Sequence, residues 1–503
     1  MFKTLDILTT FNFALSIFNF NNMLLSRSTF REARKYPEKV LQFGGGNFLR
    51  GFVDWMFYEL NKKANFNGSV IVVQPTNRGV VRLLNGQDGL YTLYLRGLKN
   101  GKPESIHETI DVISRGINPY ENFSAYLQTA EGQDIRYVIS NTTEAGITFD
   151  ENDKPTDTPP NSFPGKLTVW LQHRYQTFKG DAAKGVHVIP CELIDKNADN
   201  LKKIILQLAE KWNLQDGFVN WLNTACTFSN TLVDRIVPGY PRERIAEITQ
   251  DLGYEDKQVV EGEHFHLWVI EAPEQLQKEL PFPSIGLDVK YVKDLTPYRT
   301  RKVRILNGAH TALVPVAYLH GIDTVRESVE HPVVGKFLRD EIFEEIVPTL
   351  DLPKEELEQF SNEVIDRFRN PYIKHQLMSI ALNSWSKFET RVLPSILEYK
   401  NRFGTIPQRL AFSLAATIAF YKGKRGNQDI VLNDDAAALQ LLKNAWSKTD
   451  GSDASIKNIV TEVLGYQKNW KKDLNEVEGL NKAVTKHLIN IEKHGLQKAI
   501  EMI

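Results

Sequence analysis

The 503-residue sequence contains only two cysteines, Cys191 and Cys226. Two thiols cannot build a disulfide framework. Neither stands in a Cys-x-x-Cys or Cys/His cluster, so disulfide-stapled folds and cysteine-based zinc sites are not expected. A reducing, cytoplasmic setting fits best. Excess charge of either sign is also missing, with 61 Lys plus Arg against 62 Asp plus Glu. A surface so balanced has no positive surplus to neutralise a phosphate backbone, and nucleic acid is not an expected partner. Long hydrophobic runs are absent as well. The N-terminal "MFKTLDILTTFNFALSIFNFNN" is broken by Asp6, Asn12, Asn19, Asn21 and Asn22 and closed by no small-x-small cleavage pattern. It reads neither as a signal peptide nor as a span, which needs about 20 mostly apolar residues. Residues 1–30 are taken as an N-terminal extension ahead of a start near Met23. No membrane partner is expected, and there is no internal repeat or low-complexity tract.

What is present points to two domains, because 42% hydrophobic residues over this length exceed what one core serves. Short β-branched or apolar runs recur at 39–43, 69–74, 108–114, 136–140, 186–190 and 224–228, separated by helical patterns. That alternation implies βαβ units in a mostly parallel sheet, and predicts an α/β, Rossmann-like doubly wound domain over 31–290. A Pro-rich polar loop at 150–161 precedes a helix whose buried stripe is Leu167, Trp170, Leu171 and Arg174 at i, i+3, i+4, i+7. Beyond about 290 the patterns are helical, and the stretch near 409–421 is apolar nearly all round, so 291–503 is expected to be a mainly α-helical catalytic or substrate domain.

The first predicted strand runs into "FGGGNFLRGF". Glycines after a strand and before a helix let the backbone approach a pyrophosphate at the positive end of the helix dipole. Gly44, Gly45 and Gly46, with Asn47 and Phe48 opening the helix, are therefore candidate dinucleotide-binding residues. The fingerprint departs from its usual form, since Leu49 replaces the third glycine and the second strand ends in Gln74, Asn77 and Arg78 rather than an acid. Three other loops follow predicted strands: "SNTTE", with Thr143 and Glu144 as cofactor candidates; "PCE", with Cys191 and Glu192; and "NTLVD", with Asn230 and Asp234. Ligands of doubly wound sheets bind beyond the carboxyl ends of the strands, where these loops lie.

In "RKVRILNGAH", Lys302, Asn307 and His310 share an apolar helical run. At α-helical pitch they span an arc of about 140°, so they can face one cavity. A lysine made less basic by burial serves as general acid/base, and an Asn and a His can polarise and hold a carbonyl oxygen. That set suits interconversion of a secondary alcohol and a ketone without a metal. Each residue alone would also serve as a satisfied core or surface group.

The segments "FGGGNFLRGF", "QDGLYTLYLRG", "SNTTEAGI", "SFPGKLT", "FSNTLVDRIVP" and "KVRILNGAH" together resemble, in order, the polyol-specific long-chain dehydrogenase family, which includes mannitol dehydrogenases and hexuronate reductases. The resemblance spans about 38–400, and Lys-x4-Asn-x2-His is its most specific part. It implies an NAD-dependent, metal-independent oxidoreductase, with NADP as the alternative cofactor. Lys302 would be the acid/base, Asn307 and His310 would orient the carbonyl, and Asp234 would lie near the substrate. The sequence departs from mannitol-type members at "CEL", where Leu193 replaces a substrate-contacting asparagine, and at Arg299, where they carry an acid. Both changes speak against a neutral hexitol, and "LQFGGGNFLRGFVDWM" together with "PCELIDKN" is most similar to the branch reducing the hexuronate tagaturonate to the aldonate altronate. Fructuronate reduction and mannitol or mannitol-phosphate oxidation are the sister activities. A carboxylate substrate calls for cations, and the candidates are Arg299, Arg301, Lys387 and Arg391. More distant readings are a β-hydroxyacid dehydrogenase, in which the Lys-to-Asn spacing is four rather than five, and a non-catalytic sensor of a nucleotide or sugar acid.

Of the remaining motifs, His264 and His266 in "EHFHLW" are expected on an edge strand, since no third ligand lies at a metal-binding spacing. The cysteines are expected to be inert packing. The helix 481–500 is expected to be an amphipathic surface helix.

Overall fold

The computed structural model describes residues 23–99, 101–143 and 145–503. The chain forms two compact units, one comprising the described residues through Arg96 together with Glu104–Leu295, the other Gly97–Pro103 together with Thr296–Ile503. Residues 1–22 of the expected extension lie outside the described residues. Met23 and Leu25 bond through their backbones to Glu255, and Leu25 is fully buried, so residues 23–30 belong to the first unit.

In chain order the strands of the first unit are β1 (Glu38–Phe43), β2 (Ser69–Val73), β3 (Tyr91–Lys99), whose end enters the second unit, β4 (Lys102–Ile110), β5 (Ile113–Ile117), β6 (Tyr137–Ser140), β7 (His187–Pro190), β8 (Thr227–Phe228), β9 (Thr231–Asp234), β10 (Val260–Gly262), β11 (Leu267–Glu271) and β12 (Val289–Val292). Six of them form one parallel sheet in the order β5-β2-β1-β6-β7-β8. Counted by position this is the 3-2-1-4-5-6 order of a dinucleotide-binding sheet, whose direction of winding reverses between β1 and β6. The sequence dictates both faces. Val40, Val70, Val72 and Ile139 enter one core, while their neighbours Leu41, Ile71, Val73 and Val138 enter another. An uninterrupted "SVIVV" is what period-two alternation requires when both faces are covered.

Two predicted strands have different bounds. The run 108–114 is divided between β4 and β5, because Asp111 accepts from the Arg34 N–H at the junction. Only Thr227–Phe228 of 224–228 is strand, since Asp216–Thr224 is helical. His264 and His266 are not on an edge strand: they precede β11, which is the middle strand of β12-β11-β9, and His266 Nε2 accepts from the Asp288 N–H.

Helix Phe163–Thr177 buries the whole predicted stripe. Arg174 is tolerated there because its guanidinium donates to four carbonyls, those of Lys184, Ala130, Gly132 and Ile135.

The second unit is mainly helical. Its helix Gln408–Phe420 is buried at every position from 410 to 420, as an all-apolar helix must be. The C-terminal run is broken by Gly495 into helices Leu480–His494 and Leu496–Glu501. No helix among the described residues is long and apolar enough to cross a membrane.

Candidate active site

The glycine turn follows β1 at the point where the sheet reverses. Gly44 has φ +117°, and a Cβ there would lie 2.9 Å from the Asn141 carbonyl oxygen, so backbone conformation and packing both demand glycine. Gly45 is confined by Val72 and Val80, each 3.0 Å from a Cβ built on it. Gly46 is different. It is exposed, its φ is −67°, and nothing lies within 4 Å of an added Cβ. The fold does not need a glycine here, and the open space would admit a phosphate at the N-terminus of the continuous helix 47–63. This bare approach is the feature of the unit that fits a dinucleotide.

The turn is strapped from below by Arg50, which sequence reasoning missed. Its buried guanidinium donates to the Gly45 carbonyl, the Asn47 Oδ1 and the Gln258 carbonyl. Gln42 Nε2 adds donations to the Gly44 carbonyl and to Asp54, whose carboxyl burial pushes up to about 7. The visible signal was a lone Arg and a lone Asp at i, i+4 in the otherwise apolar stretch 48–58. Phe48 is half-buried and stacks on Phe52.

The loop after β6 carries Asn141, Thr142 and Thr143. Glu192 organises it: one carboxylate oxygen accepts from the Ser140 hydroxyl, the other from the Thr142 N–H and hydroxyl, each at 3.0 Å. Glu192 is thus an internal tie between the β6 and β7 loops. Thr143 is exposed, with φ 103°, a conformation costly for a β-branched residue. It lines a cavity of about 610 Å³ with Pro75, Thr76, Thr142 and Phe163, and another of about 460 Å³ with Asn141, Ala145 and Leu193. These volumes suit parts of a cofactor. Glu144 lies outside the described residues. Gln74 is buried and donates to the Thr76 carbonyl, whereas Arg78 is exposed.

Asn230 is consumed by the fold. Its Oδ1 accepts from the Ala198 and Asp199 N–H groups at the start of helix Asn197–Lys211, and its Nδ2 donates to Glu271. Asp234 is buried at the end of β9. Cys191 and Cys226 are buried free thiols with pKa values raised by burial, an inert pair.

In the second unit, Lys302–Gly308 is a π-helical segment that continues into helix Ala309–His320. Turns closed by i→i+5 bonds are wider than α-helical ones, so Lys302 and Asn307, five apart, come nearer to one line than α-helical pitch allows. Lys302 and Asn307 are half-buried and His310 is buried. The His310 ring lies against Phe368, with centroids 3.9 Å apart and planes 16° from parallel, and meets His375 edge-on at 5.3 Å. Its Nε2 has no hydrogen-bond partner among the described residues. Burial, reinforced by His375, Arg367 and Arg391, drives its pKa well below the usual histidine value, so it is a neutral imidazole. Phe368, His375 and Arg367 carried no sequence signal, because their proximity to His310 is tertiary.

The candidate cations separate. Arg301 is buried in an ion pair with Glu356 at 3.0 Å and lies over Phe360. Arg299 is half-buried. Lys387 Nζ donates to the Ile380 carbonyl at 3.0 Å. Arg391 ends helix Ser384–Arg391, half-buried.

The mannitol dehydrogenase Rossmann domain matches residues 38–284, and the mannitol dehydrogenase C-terminal domain matches 294–492. The chain is 50% identical to the altronate oxidoreductase of Bacillus subtilis over 477 residues, 95% of this chain and 97% of that one. It is 47% identical to that of Phocaeicola vulgatus over 469 residues, 93% and 97% of the two chains. Among solved structures, D-sorbitol dehydrogenase in substrate-free form has a TM-score of 0.78 at 21% identity, covering 95% of this chain and 100% of its own. Mannitol 2-dehydrogenase of Pseudomonas fluorescens, in ternary complex with NAD and D-mannitol, has a TM-score of 0.66 at 22% identity, covering 95% and 99%. These relatives make the protein an oxidoreductase acting on CH–OH groups. Matched across both of its units, the chain belongs to the mannitol dehydrogenase family.

Proposed function

We propose that the protein reversibly reduces tagaturonate to altronate with NADH, in the cytoplasm, as a step of hexuronate catabolism. The observation that carries this reading is the similarity to relatives named altronate oxidoreductase, which reaches 50% identity over 95% of the chain.

Gly44, Gly45 and Gly46, with the N–H groups of Asn47 and Phe48, would hold the pyrophosphate, and Thr143 and Glu144 would border the cofactor. When bound, the nicotinamide supplies the hydride in one direction and accepts it in the other. Lys302 gives its proton to the carbonyl oxygen as the ketone becomes an alcohol, and takes the hydroxyl proton in reverse. Asn307 donates its side-chain N–H to the same oxygen, where negative charge develops. His310, being neutral, offers one donor and one acceptor nitrogen, and its unengaged Nε2 suits a substrate hydroxyl. Asp234 is proposed to lie beside the substrate. Asn230 holds the helix start after β7 and acts on substrate only through that position. An ammonium proton donor supplies the polarisation that a metal would otherwise give.

The test is a spectrophotometric screen of purified enzyme against tagaturonate, fructuronate and fructose, each with NADH and NADPH. Tagaturonate with NADH should give the highest kcat/KM. A higher value with fructuronate or fructose would move the protein to a sister activity, and turnover with none would sink the reading.

A further inference from the structure

The family's fold and acid/base helix do not say how a uronate is told from a neutral ketose. Four observations in the second unit bear on this. First, Arg391 is anchored against the reacting helix: a Cβ built on Gly308 would meet the Arg391 carbonyl oxygen at 2.9 Å, so the C-terminal end of helix Ser384–Arg391 touches the π-turn between Asn307 and His310. Second, the charged side chains that bear on His310 are Arg367 and Arg391, both cations, with His375 beside them. Third, three other cations of this unit are already engaged. Arg301 is paired with Glu356, Lys387 donates to the Ile380 carbonyl, and Arg304 donates to the Ser395 hydroxyl. Fourth, Arg391 itself is half-buried, its guanidinium makes no hydrogen bond or ion pair with any described residue, and it sits one turn after Lys387 on the same helix. Two cations at i, i+4 repel each other, and a guanidinium stripped of water without a carboxylate to face is a standing cost.

We propose that Arg391 is the specificity-determining residue that receives the substrate's carboxylate, in a bidentate pair beside His310. The assignment rests on the substrate being a keto-uronate. A planar guanidinium with parallel donors matches a carboxylate better than an ammonium does, and the anion offsets the repulsion between Lys387 and Arg391. A neutral ketohexose ends in a hydroxymethyl group there, which leaves the guanidinium uncompensated. Selectivity therefore comes as much from what a neutral sugar fails to satisfy as from what the acid gains.

The experiment compares tagaturonate with tagatose, the same ketose bearing a hydroxymethyl group in place of the acid, in wild type, Arg391→Gln and Arg391→Lys. In Arg391→Gln, the ratio of kcat/KM for tagaturonate over tagatose should fall on the order of 100-fold, chiefly through the KM of tagaturonate. Arg391→Lys keeps the charge without the fork, so it should recover part of the ratio; it reads the same quantity if the glutamine variant does not fold. A merely structural role would lower both substrates alike and leave the ratio unchanged, and that result, or an unchanged KM for tagaturonate, overturns the assignment. Failure of the functional reading is seen separately, as a wild-type enzyme that does not reduce tagaturonate.

Discussion

Gly308 and Arg391 meet backbone to backbone: the Arg391 carbonyl oxygen occupies the space a Gly308 side chain would need, 2.9 Å from an ideal Cβ, with the Val303 carbonyl 3.4 Å away. Neither neighbour is the far end of a flexible side chain, so an added methyl must displace one helix from the other. Gly308→Ala is expected to cost about 1–3 kcal/mol of stability as overpacking. Because Asn307 and His310 flank the displaced residue, kcat should also fall by up to about 100-fold. Thermal unfolding and steady-state kinetics check both, and a variant with unchanged melting and rate would show that the contact does not hold the π-turn.

The glycine turn separates two demands that share one residue type. Gly45→Ala puts a methyl 3.0 Å from both Val72 and Val80 and should lower the melting temperature. Gly46→Ala meets nothing within 4 Å and should melt like wild type, yet its methyl stands where a pyrophosphate would approach the helix N-terminus. Its KM for NADH is expected to rise about tenfold or more. Calorimetry and cofactor titration of the two variants decide this, and equal NADH affinity in Gly46→Ala and wild type would mean that the dinucleotide does not use this end of the helix.

The parallel sheet was legible in the sequence because both-face burial forces continuous apolar runs such as "SVIVV", and the strand-to-helix turn announced itself through Gly44 to Gly46. Lys302, Asn307 and His310 were legible by type and spacing, but their geometry was not: the π-turn is a backbone choice that no periodicity at α-helical pitch encodes. Glu192 looked like a ligand residue after a strand and is a tie between loops, because only the fold reveals that Ser140 and Thr142 meet it. Asn230 differs in the same way. A polar residue at a strand end and one capping a neighbouring helix are written identically. The surroundings of His310 were invisible because Phe368 and His375 approach it from segments 58 and 65 residues away in sequence.

Lys302→Ala removes the amine proposed to move the proton without touching the glycine turn, which lies in the other unit. Its kcat should fall by about 10²–10⁴, the usual share of a positioned acid/base. NADH binding, followed by calorimetry, should be unchanged. A near-normal kcat would transfer the proton role to another group.

Glu341 makes a prediction about stability rather than turnover. It is fully buried, accepts from the Ser413 hydroxyl at 2.7 Å, and its other carboxyl oxygen, Oε1, has no hydrogen-bond partner among the described residues. Burial pushes its pKa up to about 8, and Glu345 adds to the rise. The folded-state pKa therefore lies above the unfolded one, near 4.5. The protonated carboxyl's contribution is complete below the unfolded value and is lost as pH climbs through the folded value, because the unfolded chain ionises first. Glu341→Gln replaces the group with a neutral isostere. Its melting temperature relative to wild type should be nearly level at pH 4.5, rise steadily to pH 8, and then flatten. A difference that is constant from pH 5 to pH 9 would mean that Glu341 does not titrate in this range, and its burial would need another compensating partner.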